Sequence, residues 1–210
     1  ISGGRLQAMI RIPDAAPAAR APAQDPTALA RKVQGYYERT KDLEATFAQS
    51  YTYSGFGRRQ LSSGTLRVKK PGMMRWDYDK PAPKTIAVRG SRLVQWEPEE
   101  NQAYVDEKFD ASAMSAAVTF LLGKGDLVRE FDLSLDGSGA LVLRPKELDP
   151  RVDSIGLTVG DDGQVTATRV VDGAGNVNEL RFSQVKRNLG LPDAAFEVKL
   201  PKGAHRLAPP

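Results

Sequence analysis

Side chains able to do chemistry are scarce in this sequence, and their spacing narrows the choice further. There is no cysteine, which removes thiol catalysis, thiolate zinc sites and disulfides. His205 is the single histidine and stands close to Pro210. A multi-histidine metal site cannot be assembled, and a Ser-His-Asp triad would have to rest on the chain's last residues. Carboxylates do occur in groups, Asp77 with Asp79 and Glu97 with Glu99 and Glu100. An i, i+2 pair on a strand shares one face. These groups fall on polar faces or in turns among Arg and Lys, so solvated surface explains them better than acid–base work or glycoside hydrolysis. The glycine-rich stretches do no better. LLGKGD lacks the upstream glycine and the following Ser/Thr of a phosphate loop, and DGAGN sits between two strands. They read as a helix stop and a hairpin turn.

The basic residues offer another possibility. Lys and Arg total 30 against 26 Asp and Glu, a net charge of +4 and a pI near 9.3. Arg58, Arg59, Arg67, Lys69, Lys70 and Arg75 cluster near Tyr51, Tyr53 and Phe56. A single-strand nucleic-acid platform needs basic and aromatic side chains interleaved on one face. The period of two places Trp76 and Tyr78 opposite Arg75, which separates rings from charges, so no nucleic-acid partner is expected.

What must position any site is a set of alternating strands. Leu66 and Val68 face away from Thr65, Arg67 and Lys69. Met74, Trp76 and Tyr78 alternate with Met73, Arg75 and Asp77, and Ile86 and Val88 with Thr85, Ala87 and Arg89. Phe131, Leu133 and Leu135, then Ile155, Leu157 and Val159, repeat the pattern. Such strands have one apolar face and one wet face. Gly and Asp turns separate them at Lys70-Pro71-Gly72, Arg89-Gly90, Asp136-Gly137, Asp162-Gly163 and Asp172-Gly173. About eleven antiparallel strands, in a meander closing into a barrel or half-barrel, are expected.

Two helices interrupt this mainly β chain. One is predicted over 26–40, with Asp25 as cap, Pro26 at the first helical position and Leu29, Val33, Tyr36 and Tyr37 in one stripe. The other spans 110–122, with Met114, Ala117, Val118, Leu121 and Leu122 at helical spacing between Asp110 and Gly123. Residues 1–24 are Ala/Pro-rich and read as a flexible extension ahead of a single domain over 25–210. No run approaches the roughly 18 apolar residues of a membrane-crossing helix, so stable membrane insertion is not expected. Met and aromatic side chains on the strands, joined by Met114, Val118, Phe120 and Leu121, suit either a core or an adaptable greasy ligand site.

The order of these residues resembles the LolA family of periplasmic carriers of outer-membrane lipoproteins. LEATFAQ, with Phe47-Ala48-Gln49, is similar to the family's F-x-Q strand. The most specific block runs from Gly64 through Leu66, Val68, Lys69, Lys70 and Pro71 to Arg75 and Trp76. It matches Gly-x-Leu-x-Val-Lys-Arg/Lys-Pro-x-x-aromatic-x-Trp. Pro81, Gly90 and LVQWEPEENQAYV resemble the hairpin that follows, Leu141 to Lys146 and the strand–turn–strand from Ile155 to Phe182 fit, and FEVKLPKGA resembles the terminal Phe-x-x-x-x-Pro-x-Gly. The likeness covers about residues 27–207. Three departures stand out: Lys70 where an arginine that bonds lid backbone is often found, Met74 where an aromatic is usual, and the N-terminal extension.

The resemblance implies an incomplete antiparallel β-barrel under an α-helical lid, with no enzymatic activity, catalytic residue, metal or cofactor. It implies acylated lipoproteins as cargo, an inner-membrane lipoprotein-releasing ABC transporter as donor, an outer-membrane receptor lipoprotein as acceptor, and a monomer at work in the periplasm. The acyl cavity is expected to be lined by Phe47, Leu66, Val68, Met74, Trp76, Tyr78, Ile86, Val88, Trp96, Met114, Val118, Phe120 and Leu121. Lys70 is expected to latch the lid through helix or loop carbonyls. A lipid- or lipoprotein-sensing regulatory domain and a glycolipid carrier are the alternatives on the same fold.

Overall fold

The computed structural model describes residues 24–110 and 125–208. Residues 1–23 of the expected extension, and the expected helix beyond Asp110 with Met114, Val118, Phe120 and Leu121, lie outside the described residues.

Helix α1 (Pro26–Glu38) begins where the sequence places it. The Asp25 carboxylate accepts from the Thr27 and Ala28 N–H groups at 3.0 and 3.2 Å, satisfying donors that the first turn leaves free. Its buried stripe is Leu29, Ala30, Val33, Tyr36 and Tyr37.

Two meanders follow. The first is β1 (Asp42–Thr52), β2 (Arg59–Lys69), β3 (Met73–Lys80), β4 (Lys84–Arg89), β5 (Arg92–Glu97) and β6 (Gln102–Asp106). The second comes after the short helix α2 (Leu127–Glu130): β7 (Phe131–Leu135), β8 (Leu141–Pro145), β9 (Ser154–Val159), β10 (Val165–Val171) and β11 (Val177–Arg187). A 3-10 turn, Asp193–Phe196, and β12 (His205–Leu207) come last.

Antiparallel pairing of β11 with β1 joins the meanders into one 12-stranded sheet, in the order β12-β6-β5-β4-β3-β2-β1-β11-β10-β9-β8-β7. Strand twist curls so large a sheet, yet β7 and β12 stand at opposite ends of the order, so the barrel stays open. The described strands number twelve rather than eleven. β12 is three exposed residues and pairs parallel to β6, so it carries no alternation for a sequence to show.

The main core lies on the sheet's inner face, with α1 packed over α2, β7 and β8. A second, smaller buried group occupies the other face. Ala87, Val94 and Ala103 are buried there, and Phe196, 2% exposed, lies in a turn packed over β3 and β4.

Candidate functional site on the inner sheet face

Register assembles the inner face in rows. Phe47, Gly64 and Tyr78 form one row across β1, β2 and β3. Ala45, Leu66, Trp76 and Ile86 form the next, and Leu43, Val68, Met74, Val88 and Leu93 the third. Directly opposed residues on neighbouring strands share a face, so these side chains meet.

Gly64 determines how the first row packs. A Cβ there would stand 2.0 Å from the Asp77 carbonyl oxygen, so no other residue fits at that close approach. With no side chain between them, the Phe47 ring meets Trp76 and Tyr78 edge-on at 4.9 and 5.1 Å. Trp76 and Tyr78 stack at 6.4 Å. The Trp76 indole N–H donates to the Met74 sulfur at 3.0 Å, so a methionine in the usual aromatic place holds the ring through its thioether. Burial pushes the Tyr78 pKa up, and Lys84 lies 4.6 Å over its ring.

The expected cavity residues divide by accessibility. Phe47, Leu66, Val68, Met74 and Val88 are buried in the packed core. Trp76, Tyr78 and Ile86 are half-buried on the same face and form its accessible part. Trp96 is a correction. It opposes Thr85 and Ala103, one residue out of phase with Gln95, whose partners Ile86 and Tyr104 face inward. The period of two therefore puts Trp96 on the outer face, away from Trp76.

An apolar cavity of ≈ 50 Å³ lies beside this patch, under α1 and α2, and of the expected residues that are described Leu66 alone lines it. Its other walls include Tyr37, Leu43, Phe131, Leu143, Ile155 and Phe182. Sequence reading missed this half because a wall residue and a core residue share one alternating pattern. The volume is small, a few times the roughly 10–15 Å³ that a single water needs on the same measure.

Among the ties of the helical cover, two flank the last turn of α1. Lys70, in the β2–β3 turn, donates its ammonium to the main-chain carbonyl of Tyr37 in the last turn of α1. A cation at a helix C-terminus meets the negative end of the macrodipole. Burial pulls the Lys70 pKa down and the nearby Glu38 carboxylate opposes that shift. On the far side, the Tyr36 hydroxyl donates to Gln164 at 3.0 Å, and the Val165 N–H donates to the Tyr37 hydroxyl at 3.4 Å. Burial raises the Tyr37 pKa strongly.

The chemical-looking groups are occupied on the wet face. Asp77 accepts from Arg67, Arg75 and Thr85 at 3.1, 2.8 and 2.9 Å, and Asp79 accepts from Ser63 at 2.7 Å. Two members of the basic cluster, Lys69 and Arg75, hold the C-terminal arm with Arg89. Lys69 donates to Leu191 O and Asp193, Arg75 to Ala195 O and Glu197 O, and Arg89 to Glu197. The buried Asp42 carboxylate, which sequence reading passed over, accepts from the N–H groups of Leu189, Gly190 and Leu191 at 2.7, 3.0 and 3.2 Å and fixes where the arm begins. Its signal was a carboxylate at the head of an apolar strand.

Comparison with known proteins adds to this geometry. Residues 38–199 match the family model described as Outer membrane lipoprotein carrier protein LolA. Among curated proteins, an outer-membrane lipoprotein carrier protein of Dechloromonas aromatica is 29% identical over 177 residues, 82% of this chain and 84% of that one. A protein of the same description from Chromobacterium violaceum is 30% identical over 188 residues, 87% and 88% of the two chains. Among solved structures, an uncharacterized conserved protein from Thermus thermophilus shares the fold, with a TM-score of 0.54 and 14% identity over 89% of this chain and 100% of that one.

Proposed function

The chain belongs to the LolA family of outer membrane lipoprotein carrier proteins, and from that membership we propose that it shields lipoprotein acyl chains on its inner sheet face while carrying them through the periplasm from inner to outer membrane. The observation that carries the reading is the half-buried patch of Trp76, Tyr78 and Ile86 beside a cavity roofed by a latched helix. It works as a binding protein, not an enzyme. Its cargo arrives from a lipoprotein-releasing ABC transporter and leaves to an outer-membrane receptor lipoprotein, the partners its family resemblance implies.

Magnitudes support a cover that yields to cargo. Burying acyl chain stabilises by about 0.8 kcal/mol per CH₂. Breaking one charge-assisted hydrogen bond costs about 1.5–3 kcal/mol. The first few methylene groups to enter therefore offset the loss of the Lys70–Tyr37 bond. The packed cavity of ≈ 50 Å³ widens as α1 moves, by a population shift toward the open form that cargo prefers.

The experiment is titration with a fluorescent fatty-acyl probe. Ile86→Glu puts a charge on the accessible patch and is expected to weaken probe binding at least tenfold while the protein stays folded. Unchanged binding by the folded variant removes the patch from the site.

A further inference from the structure

Two large apolar side chains take no part in the inner face. Phe56 is 92% exposed and Leu148 is 105% exposed. They lie in different connections, between β1 and β2 and between β8 and β9, yet at one end of the molecule. The Ser54 hydroxyl donates to Ala174 O at 2.7 Å, and the Gly173 N–H donates to Pro150 O at 3.1 Å. The turn between β10 and β11 thus bridges the two connections.

The β1–β2 tip is built to present its ring. Phe56 stands between Gly55 and Gly57, and Gly57 has φ +59, a conformation that strains other residues. Tyr53 is 38% exposed, and its ring lies 4.7 Å from that of Tyr51. Arg58 follows directly, and its guanidinium makes no hydrogen bond or ion pair with another described residue. Beside Leu148, Asp149 is already paired with Arg151 at 2.8 Å.

We propose that this end is a peripheral membrane-contact surface, with Phe56 and Leu148 entering the headgroup layer of a phospholipid bilayer and Arg58 meeting lipid phosphate. Projecting side chains separated by a polar turn give no continuous apolar area of the kind a protein interface packs. A fluid interface closes around each prong separately. Tyrosine belongs at that boundary, with an apolar ring and a polar tip, and arginine adds attraction to anionic lipid. The contact is shallow, with side chains of the loop tips alone entering the headgroup layer.

The test is co-sedimentation of the cargo-free protein with vesicles of phosphatidylcholine alone and with added phosphatidylglycerol. The protein is expected to partition onto both, several-fold more onto the anionic vesicles. Phe56→Ser with Leu148→Ser is expected to lower partitioning about tenfold or more, because each change removes most of an apolar side chain's transfer free energy. Both positions are exposed, so thermal stability and acyl-probe binding stay unchanged. Arg58→Gln is expected to remove much of the preference for phosphatidylglycerol and leave phosphatidylcholine binding intact. Absence of wild-type partitioning, or a double variant that partitions like wild type, overturns the proposal. Equal binding to both vesicles overturns the role of Arg58. Acyl-probe binding is read separately, so failure here leaves the carrier function standing.

Discussion

The Lys70 ammonium bonds the main-chain carbonyl of Tyr37, joining the β2–β3 turn to the last turn of α1. The Thr40 N–H donates to the same carbonyl at 3.0 Å, so helix end, loop and sheet meet at one oxygen. A lysine makes this contact as a point charge without arginine's planar fork.

Lys70→Met is therefore expected to loosen α1 more than the sheet. The loss is about 1.5–3 kcal/mol, the worth of one charge-assisted hydrogen bond. Hydrogen exchange of the α1 amides should speed up while the amides of β1 and β2 hold. Equal protection of α1 in both proteins would remove Lys70 from the latch.

Alkaline pH should destabilise the fold through the buried Tyr37 phenol. Burial raises the Tyr37 pKa above its ordinary value near 10, so the folded state holds the phenol proton that the unfolded state releases. The contribution is fully present below about pH 10 and is lost as pH rises from there toward the folded pKa. Tyr37→Phe is expected to lose less stability than wild type over that window. Denaturant midpoints for the two proteins, followed from neutral to strongly alkaline pH, check the sign.

Gly64→Ala is expected to destabilise by about 3 kcal/mol or more, as an overpacked site does. The added carbon would meet the Asp77 carbonyl at 2.0 Å and push β3 away from β2. Thermal unfolding measures the loss, and the near-ultraviolet signal of Trp76 reports whether the ring moves from Phe47.

Asp42→Asn should free the C-terminal arm. It weakens a carboxylate that accepts three N–H groups, at a cost of about 2 kcal/mol. Limited proteolysis is expected to cut earliest between residues 188 and 195, with β1 to β11 intact. Cleavage at the wild-type rate would show that Phe196 and the basic side chains hold the arm without Asp42.

Much of this was legible from residue types alone. Asp25-Pro26 announced α1, and the alternation through Met74, Trp76, Tyr78, Ile86 and Val88 announced strands with one greasy face. The half-open barrel followed from the Gly64-to-Trp76 block and its family resemblance. What stayed hidden depends on register or distant partners. Trp96 looks like another inward aromatic until its pairing with Thr85 and Ala103 turns it outward. Of the arginines that suggested a binding platform, Arg75 holds the chain's own arm together with Arg89, which no local pattern reveals. β12 is a strand because β6 offers it an edge, not because His205–Leu207 favours one.

The two tryptophans report on opposite sides of the sheet, because register places Trp76 on the inner face and Trp96 on the outer. Trp96→Phe leaves Trp76 as sole reporter, and Trp76→Phe leaves Trp96. Each protein is titrated with a fatty acid carrying a bromine or nitroxide quencher on its chain. Saturable quenching of Trp76 and little quenching of Trp96 are expected. Quenching of Trp96 with Trp76 unaffected would contradict the inner-face site and place the acyl site on the other side of the sheet.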